Sequence, residues 1–113
     1  MAFNGKEGKP ITLGTAKKWT RRYREENPGK VKAYFFGKDH IARLLAESGS
    51  EGIRIYYAID DDNNPRLILT AADAKQNNLL PKNEGKDGPE PVIIDDGAPC
   101  PPSCPEDGQD PLG

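Results

Sequence analysis

The strongest constraint on the fold is a pair of alternating segments that lie close together in the chain. GIRIYYAID starts at Gly52 and places an apolar residue at every second position from Ile53 onward. RLILTA starts at Arg66 and repeats the alternation, and the stretch DDDNNP between the two segments favours a turn. The two segments therefore predict an antiparallel β-hairpin. The residues that we expect to face the core are Ile53, Ile55, Tyr57, Ile59, Leu67, Leu69 and Ala71.

A helix is predicted before the hairpin, in the segment AKKWTRRYREEN. Thr15 is a favourable N-cap residue, and the spacing of Ala16, Trp19 and Tyr23 puts them on one helix face. The sequence NPG at 27–29 ends the pattern, because proline disfavours helix in the residue before it and glycine supplies turn geometry.

A short strand and a second helix are predicted between the first helix and the hairpin. VKAYFF at 31–36 is rich in β-branched and aromatic residues, which favours a strand. KDHIARLLAESG has apolar residues at helical spacing, with Asp39 as its expected cap and Gly49 near its end. Together the elements predict an α+β fold, in which two helices pack on a small antiparallel sheet centred on the hairpin.

The composition changes after Leu80. Eight of the 11 prolines fall in residues 81–113, and only PVIID is apolar there. Such sequence buries too little apolar surface to offset its ordering entropy, so we expect a flexible tail, with PVIID as a segment able to add to a sheet edge. The predicted organisation is a disordered N-terminus at 1–10, a single domain at 11–80 and an acidic, proline-rich tail at 81–113.

Charge divides the chain into two halves. Residues 1–59 carry 12 basic and 6 acidic side chains, whereas residues 60–113 carry 4 basic and 12 acidic ones. The basic side of the first helix is a plausible footprint for phosphates, anionic lipid or an acidic protein, and the second face of the hairpin is semi-apolar. A solvated helix face, or one neutralised by the acidic half, is the simpler alternative. The candidate partner-binding residues are Lys17, Lys18, Arg21, Arg22, Arg24, Tyr56 and Ile68.

Both cysteines lie in APCPPSCP, at Cys100 and Cys104. Structural zinc takes four nitrogen or sulfur ligands, and one chain offers only these two cysteines and the distant His40, so a zinc site shared by two chains is one hypothesis. A redox pair and incidental thiols in a polyproline-like tail are the alternatives. Because the sequence lacks a signal-type or membrane-spanning apolar run, we expect a cytoplasmic protein without a membrane span, whose thiols stay reduced.

Catalytic and calcium-binding motifs have little support. The residues DDDNN from Asp60 resemble the start of an EF-hand loop, but Pro65 replaces its glycine and Ala71 its last ligand. There is no GxSxG, HExxH or glycine-rich phosphate loop. The sequence therefore favours a protein that is not an enzyme.

Several segments together carry a resemblance to one family. The AKKWTRRYR helix, FFGKDHIARLL, GIRIYY and the PCPPSC ending make the chain similar to a family of small bacterial proteins with no assigned function. The resemblance covers about Ala16 to Pro105 and implies no catalytic or binding residues. Our expectation is a non-catalytic interaction module that associates with itself as a homodimer or with a protein partner. A thiol- or metal-dependent sensor and a nucleic-acid-binding protein are the alternatives.

Overall fold

The computed structural model describes residues 2–82, 90–106 and 108–113. It contains two helices and two small antiparallel sheets, so the predicted α+β class with a central hairpin is confirmed. The elements are α1 (Leu13–Glu26), β1 (Ala33–Phe35), α2 (Lys38–Ala46), β2 (Gly52–Ile59), β3 (Pro65–Ala72), β4 (Asn78–Leu79) and β5 (Ala98–Cys100).

The chain divides into two compact units. One comprises the chain up to Glu7 together with Phe36–Gly97, and the other comprises Gly8–Phe35 and Ala98–Gly113. These units do not follow the boundaries expected at residues 10 and 80, which remain predictions. Of the predicted tail, residues 83–89 and 107 lie outside the described residues.

The hairpin forms in the first unit as predicted. β2 and β3 pair from Gly52 opposite Ala72 to Ile59 opposite Pro65. The turn is closed by Asp60, whose backbone N–H donates to the carbonyl oxygen of Asn64 at 2.9 Å. The carboxylate of Asp60 also accepts the backbone N–H groups of Asp62 and Asn64. The polar segment between the strands is therefore a turn organised by its first aspartate.

β3 lies in the middle of this sheet. Its other edge pairs with β4 and, at Leu69, with Ile94, which exchanges two backbone hydrogen bonds of 2.9 Å with Leu69. Ile94 belongs to PVIID, so this island adds to a sheet edge as the sequence suggested.

The core of the first unit lies between α2 and the sheet. Leu44 of α2 is packed with Leu69 and Ala71 of β3, and all three are buried. Half-buried apolar residues surround them: Phe36, Ile41, Ile53, Leu67, Leu79, Val92 and Ile94.

The expectation that the whole apolar side of β2 faces the core is wrong for Ile55, Tyr57 and Ile59, which are exposed. α2 has nine residues and is about 14 Å long, whereas the eight residues of β2 extend about 27 Å. The helix packs over the Ile53 end of the strand, and the end near the turn extends beyond it.

Both predicted helix caps are corrected by the structure. α1 begins three residues earlier than expected, and the side chain of Thr12 accepts the N–H of Thr15 at 3.1 Å, so Thr12 is the cap. α2 has Gly37 at its N-cap, without a side-chain bond, and Asp39 lies in its first turn. An acidic side chain there still interacts favourably with the helix dipole.

The second unit combines α1 with a two-stranded sheet. β1 pairs antiparallel with β5, from Ala33 opposite Cys100 to Phe35 opposite Ala98, which confirms a strand within 31–36. No side chain of α1 is buried. Within the described part of the chain, neither helix is long and apolar enough to cross a membrane.

Candidate interaction surface

The hydrogen-bond pattern of the hairpin shows which backbone groups of β2 point toward β3. At the turn, the backbone N–H of Asp60 donates to the carbonyl oxygen of Asn64, so position 60 is a hydrogen-bonded position of the ladder. Such positions alternate along an antiparallel ladder, so the next bonded residues of β2 are Ala58, Tyr56 and Arg54. The intervening residues of β2 direct their backbone N–H and C=O groups to the other side of the strand.

The outer edge of β2 therefore consists of the backbone groups of Ile53, Ile55, Tyr57 and Ile59, and we call it the β2 edge. An independent observation supports this assignment. Leu69, which lies opposite Ile55, bonds to Ile94 on the far side of β3. Among the described residues, no strand pairs with the β2 edge.

The side chains of Ile55, Tyr57 and Ile59 form a contiguous apolar row. Alternation puts them on one face of the sheet. Ile55 is 56% exposed, Tyr57 93% and Ile59 72%. An exposed, alternating apolar edge strand is an established template for pairing with another chain.

The N-terminal segment lies beside the beginning of β2. The guanidinium of Arg54 lies 5.5 Å from the ring centroid of Phe3, and the carbonyl oxygen of Glu51 lies 3.4 Å from the position that a Cβ on Gly5 would take. The carboxylate of Glu7 accepts the backbone N–H of Gly5 at 3.0 Å and holds this segment in a turn. Residues 52–54 of β2 are half-buried beside this segment, and the exposed part of the β2 edge runs from Ile55 to Ile59.

The opposite face of the hairpin, which contains the predicted residues Tyr56 and Ile68, is more covered. The structure places these two residues directly opposite each other. The hydroxyl of Tyr56 accepts a hydrogen bond from the side chain of Asn78 at 2.6 Å, and Asn78 also accepts one from Arg54 at 2.6 Å. Ile68 is half-buried. The larger exposed apolar surface is thus on the face that the sequence assigned to the core.

An ion-pair cluster anchors the turn end of the hairpin. The guanidinium of Arg66 lies 2.9 Å from the carboxylate of Asp60, 3.2 Å from that of Asp96 and 3.7 Å from that of Asp95. The backbone N–H of Asn64 lowers the pKa of Asp60 from its ordinary value, and the bond from Arg66 lowers it further. The same bond, followed by the charge of Asp95, raises the pKa of Arg66. These contacts fix the turn next to Ile59.

The basic residues that were predicted to bind a partner all lie on α1, in the second unit. Arg22 forms an exposed ion pair with Glu26 at 2.9 Å, and the side chain of Arg24 donates to the carbonyl oxygen of Leu112. An exposed pair of this kind contributes little to stability. Lys17, Lys18 and Arg21 line an open groove along the helix with Trp19, Arg22 and Glu25. Trp19 and Tyr23, which the sequence places on one helix face, are 60% and 49% exposed.

Cys100 and Cys104 form a disulfide, with a Cα–Cα distance of 4.8 Å. The expectation of reduced thiols therefore does not describe this state of the protein. The N–H of Ser103 donates to the carbonyl oxygen of Pro99 at 2.8 Å, and this turn brings the two cysteines together. Cys100 is buried, whereas Cys104 is exposed.

Zinc binding at the cysteines would require their reduction, because thiolates are the metal ligands. Within the described residues there is no group of three or more His, Cys, Asp or Glu side chains placed to hold a metal ion. A zinc site shared between two chains therefore stays a prediction about the reduced protein.

In comparisons with models of protein families, with curated proteins and with solved structures, the chain matches none of them. The resemblance to a family of small bacterial proteins therefore remains a prediction. Among the surfaces of the described residues, the β2 edge joins outward-facing backbone groups to exposed apolar side chains.

Proposed function

We propose that this protein is a non-catalytic interaction module that binds an extended protein strand at the β2 edge. The observation that carries the proposal is the coincidence, at Ile55, Tyr57 and Ile59, of outward-facing backbone groups with exposed apolar side chains. Strand addition uses both features, because main-chain hydrogen bonds supply affinity and alternate side chains supply specificity.

The energetics favour occupation of this surface. Complete burial of an isoleucine or tyrosine-sized apolar side chain is worth about 1.5–3 kcal/mol. Tyr57 is almost fully exposed in the isolated chain, so nearly all of its apolar surface is available for burial by a partner. The first unit also has a small core, and small cores are commonly supplemented by association.

Hydrogen exchange tests the proposal at single residues. The outward N–H groups of Ile55, Tyr57 and Ile59 should exchange rapidly in dilute protein and become protected when a synthetic peptide of alternating valine and threonine is added. The inward N–H groups of Tyr56 and Ala58 are the matched control, since β3 already protects them. If the outward amides exchange at the unprotected rate with the peptide and also in concentrated protein, the proposal is wrong.

A second candidate function, thiol-based redox sensing, is favoured by the disulfide. The thiolate of reduced glutathione would attack the sulfur of the exposed Cys104, and Cys100 would leave as a thiolate. A second glutathione thiolate would then attack the glutathione sulfur of this mixed disulfide and release Cys104, so two glutathiones are oxidised to glutathione disulfide and the protein pair is reduced. The bridge spans only 4 positions in sequence, so chain entropy contributes only about 2 kcal/mol to its stability.

Thiol labelling tests this second function. Reduced glutathione should open the bridge and let a maleimide label both cysteines. It should also speed exchange of the Lys32 N–H, which donates to the carbonyl oxygen of Cys100 at 2.8 Å. The double variant Cys100→Ser with Cys104→Ser is the control, and its exchange should not respond to glutathione. A bridge that stays closed in excess reduced glutathione would make the disulfide structural only.

Native mass spectrometry of the reduced protein with added zinc tests the shared metal site separately.

A further inference from the structure

We infer that the strand bound at the β2 edge is the β2 edge of a second copy of this chain, paired antiparallel about a two-fold axis at Tyr57. This inference rests on the proposed function and identifies the partner. It also specifies the register of the pairing, which makes it testable at individual positions.

The position of the axis follows from the length of the accessible edge. Residues 52–54 of β2 are half-buried and Ile55 is the first exposed residue of the strand, so the exposed edge begins at Ile55. It ends at Ile59, because the chain turns at Asp60 toward β3. A two-fold-symmetric antiparallel pairing that uses the whole accessible edge has its centre at the midpoint, which is Tyr57.

The backbone geometry of both copies suits this centre. Tyr57 directs its N–H and C=O outward, so two copies of Tyr57 placed opposite each other exchange two hydrogen bonds. In the same register Ile55 of each copy lies opposite Ile59 of the other, and these residues also direct their backbone groups outward. The pairing joins two sheets of order β2-β3-β4 into one continuous sheet.

The side chains are complementary in this register. On one face, the two apolar rows meet, with tyrosine opposite tyrosine and isoleucine opposite isoleucine, which are favourable cross-strand pairs. On the other face, the cation of Arg54 lies opposite the carboxylate of Asp60 from the second copy, on both sides of the axis. Both charges keep their contacts within the chain, to Asn78 and Arg66. The register therefore places residues of unlike charge opposite each other, which avoids the destabilisation that opposed like charges cause.

A neighbouring register is less favourable. If the axis lay at Tyr56, the pairing would need the edge of Ile53, which is half-buried and lies beside the N-terminal segment. The exposed part of the edge therefore selects the centre at Tyr57.

Cysteine cross-linking tests the partner and the register together. In a background with Cys100→Ser and Cys104→Ser, Tyr57→Cys should form a disulfide-linked dimer under mild oxidation. Paired residues of this type have Cα atoms about 5.5 Å apart, within the range of a disulfide. Tyr57 is 93% exposed, so its replacement leaves the fold intact.

Tyr56→Cys in the same background is the matched control. In the inferred register two copies of residue 56 are diagonal neighbours about 7–8 Å apart, too far for a disulfide. Cross-linking at 57 and not at 56 is the expected result. Cross-linking at 56 and not at 57 would overturn the inferred axis.

Sedimentation of the unmodified protein provides a second measurement that needs no cysteine variant. We expect a reversible dimer whose population grows with protein concentration, and Tyr57→Lys should make it a monomer by placing two cations at the axis. Tyr23→Lys, at an exposed tyrosine of α1, should leave the dimer unchanged. A monomer at every concentration would overturn the inference. If the valine and threonine peptide still protected the β2 edge of that monomer, the proposed function would survive.

Discussion

Asp60 combines two roles at the turn of the hairpin, as an acceptor of backbone N–H groups and as the charged partner of Arg66. Its carboxylate accepts two backbone N–H groups within the turn and contacts Arg66 at 2.9 Å. The N–H of Asn64, first, and the bond from Arg66 keep the pKa of Asp60 below its ordinary value. A carboxylate of this kind stabilises the folded chain above its unfolded pKa, and this contribution disappears as the pH falls through its folded pKa.

The first prediction follows from the pH range in which Asp60 stabilises the folded chain. Asp60→Asn should lower the free energy of unfolding at neutral pH, because asparagine accepts the backbone bonds but carries no charge for Arg66. The difference between variant and wild type should shrink as the pH falls below about 4. Urea unfolding at several pH values measures it. Asp61→Asn is the control, since this neighbouring carboxylate forms no ion pair within the described residues. An equal loss of stability at all pH values would contradict the prediction.

At the scale of a single element, α1 depends on its cap. The hydroxyl of Thr12 accepts the N–H of Thr15 and also donates to the hydroxyl of Thr15. No side chain of α1 is buried, so little core packing supports the helix and its local bonds carry more of its stability.

The second prediction separates the two threonines. Thr12→Ala should destabilise α1 by about 1 kcal/mol, because an N–H at the start of the helix loses its partner. Thr15→Ala should cost less, since the N–H of residue 15 remains capped by Thr12. Hydrogen exchange of the first-turn amides measures both effects. A larger loss for Thr15→Ala would restore Thr15 as the cap, as its position in the sequence first suggested.

The third prediction concerns the two edges of β2. Tyr56→Pro removes an N–H that points toward β3, and we expect it to destabilise the hairpin by about 2 kcal/mol or more. Tyr57→Pro removes an outward N–H, and proline is tolerated at such positions of edge strands, so the monomer should lose less stability. Urea unfolding in dilute protein gives the comparison. Equal losses of stability in the two variants would mean that the backbone N–H of Tyr57 does not point away from β3.

The sequence predicted these elements where a local pattern decides the structure. Period-two alternation and the turn-forming aspartates sufficed for the hairpin, and aromatic and β-branched residues sufficed for β1. The cap of α1 was misplaced because Thr12 and Thr15 are equally good candidates, and only the position of the helix start distinguishes them. The exposure of Ile55, Tyr57 and Ile59 depends on how far α2 reaches along β2, which alternation alone does not encode.

Whole-molecule properties were predicted less completely, because they depend on contacts between segments that are distant in the sequence. The α+β class followed from the order of the elements, whereas the pairing of Ala98–Cys100 with Ala33–Phe35 joins segments that are far apart in the chain. The predicted partner-binding residues Tyr56 and Ile68 lie on the hairpin that carries the candidate surface, but they lie on its more covered face. A comparison of the helical segment 38–49 with the alternating strand was the sequence signal that could have identified the opposite face, because a helix rises less than half as far per residue as a strand.

The last prediction concerns the stability of the whole protein. If two copies pair at Tyr57 and separate on unfolding, each tenfold rise in protein concentration should stabilise the folded dimer by about 1.4 kcal/mol. For a chain of this size such a change raises the Tm by several degrees. Calorimetry at increasing concentration should therefore show a rising Tm for the wild type and a constant Tm for Tyr57→Lys. A wild-type Tm that is independent of concentration would show that pairing adds nothing to the stability of the small core, and the exposed row of β2 would then serve a different partner.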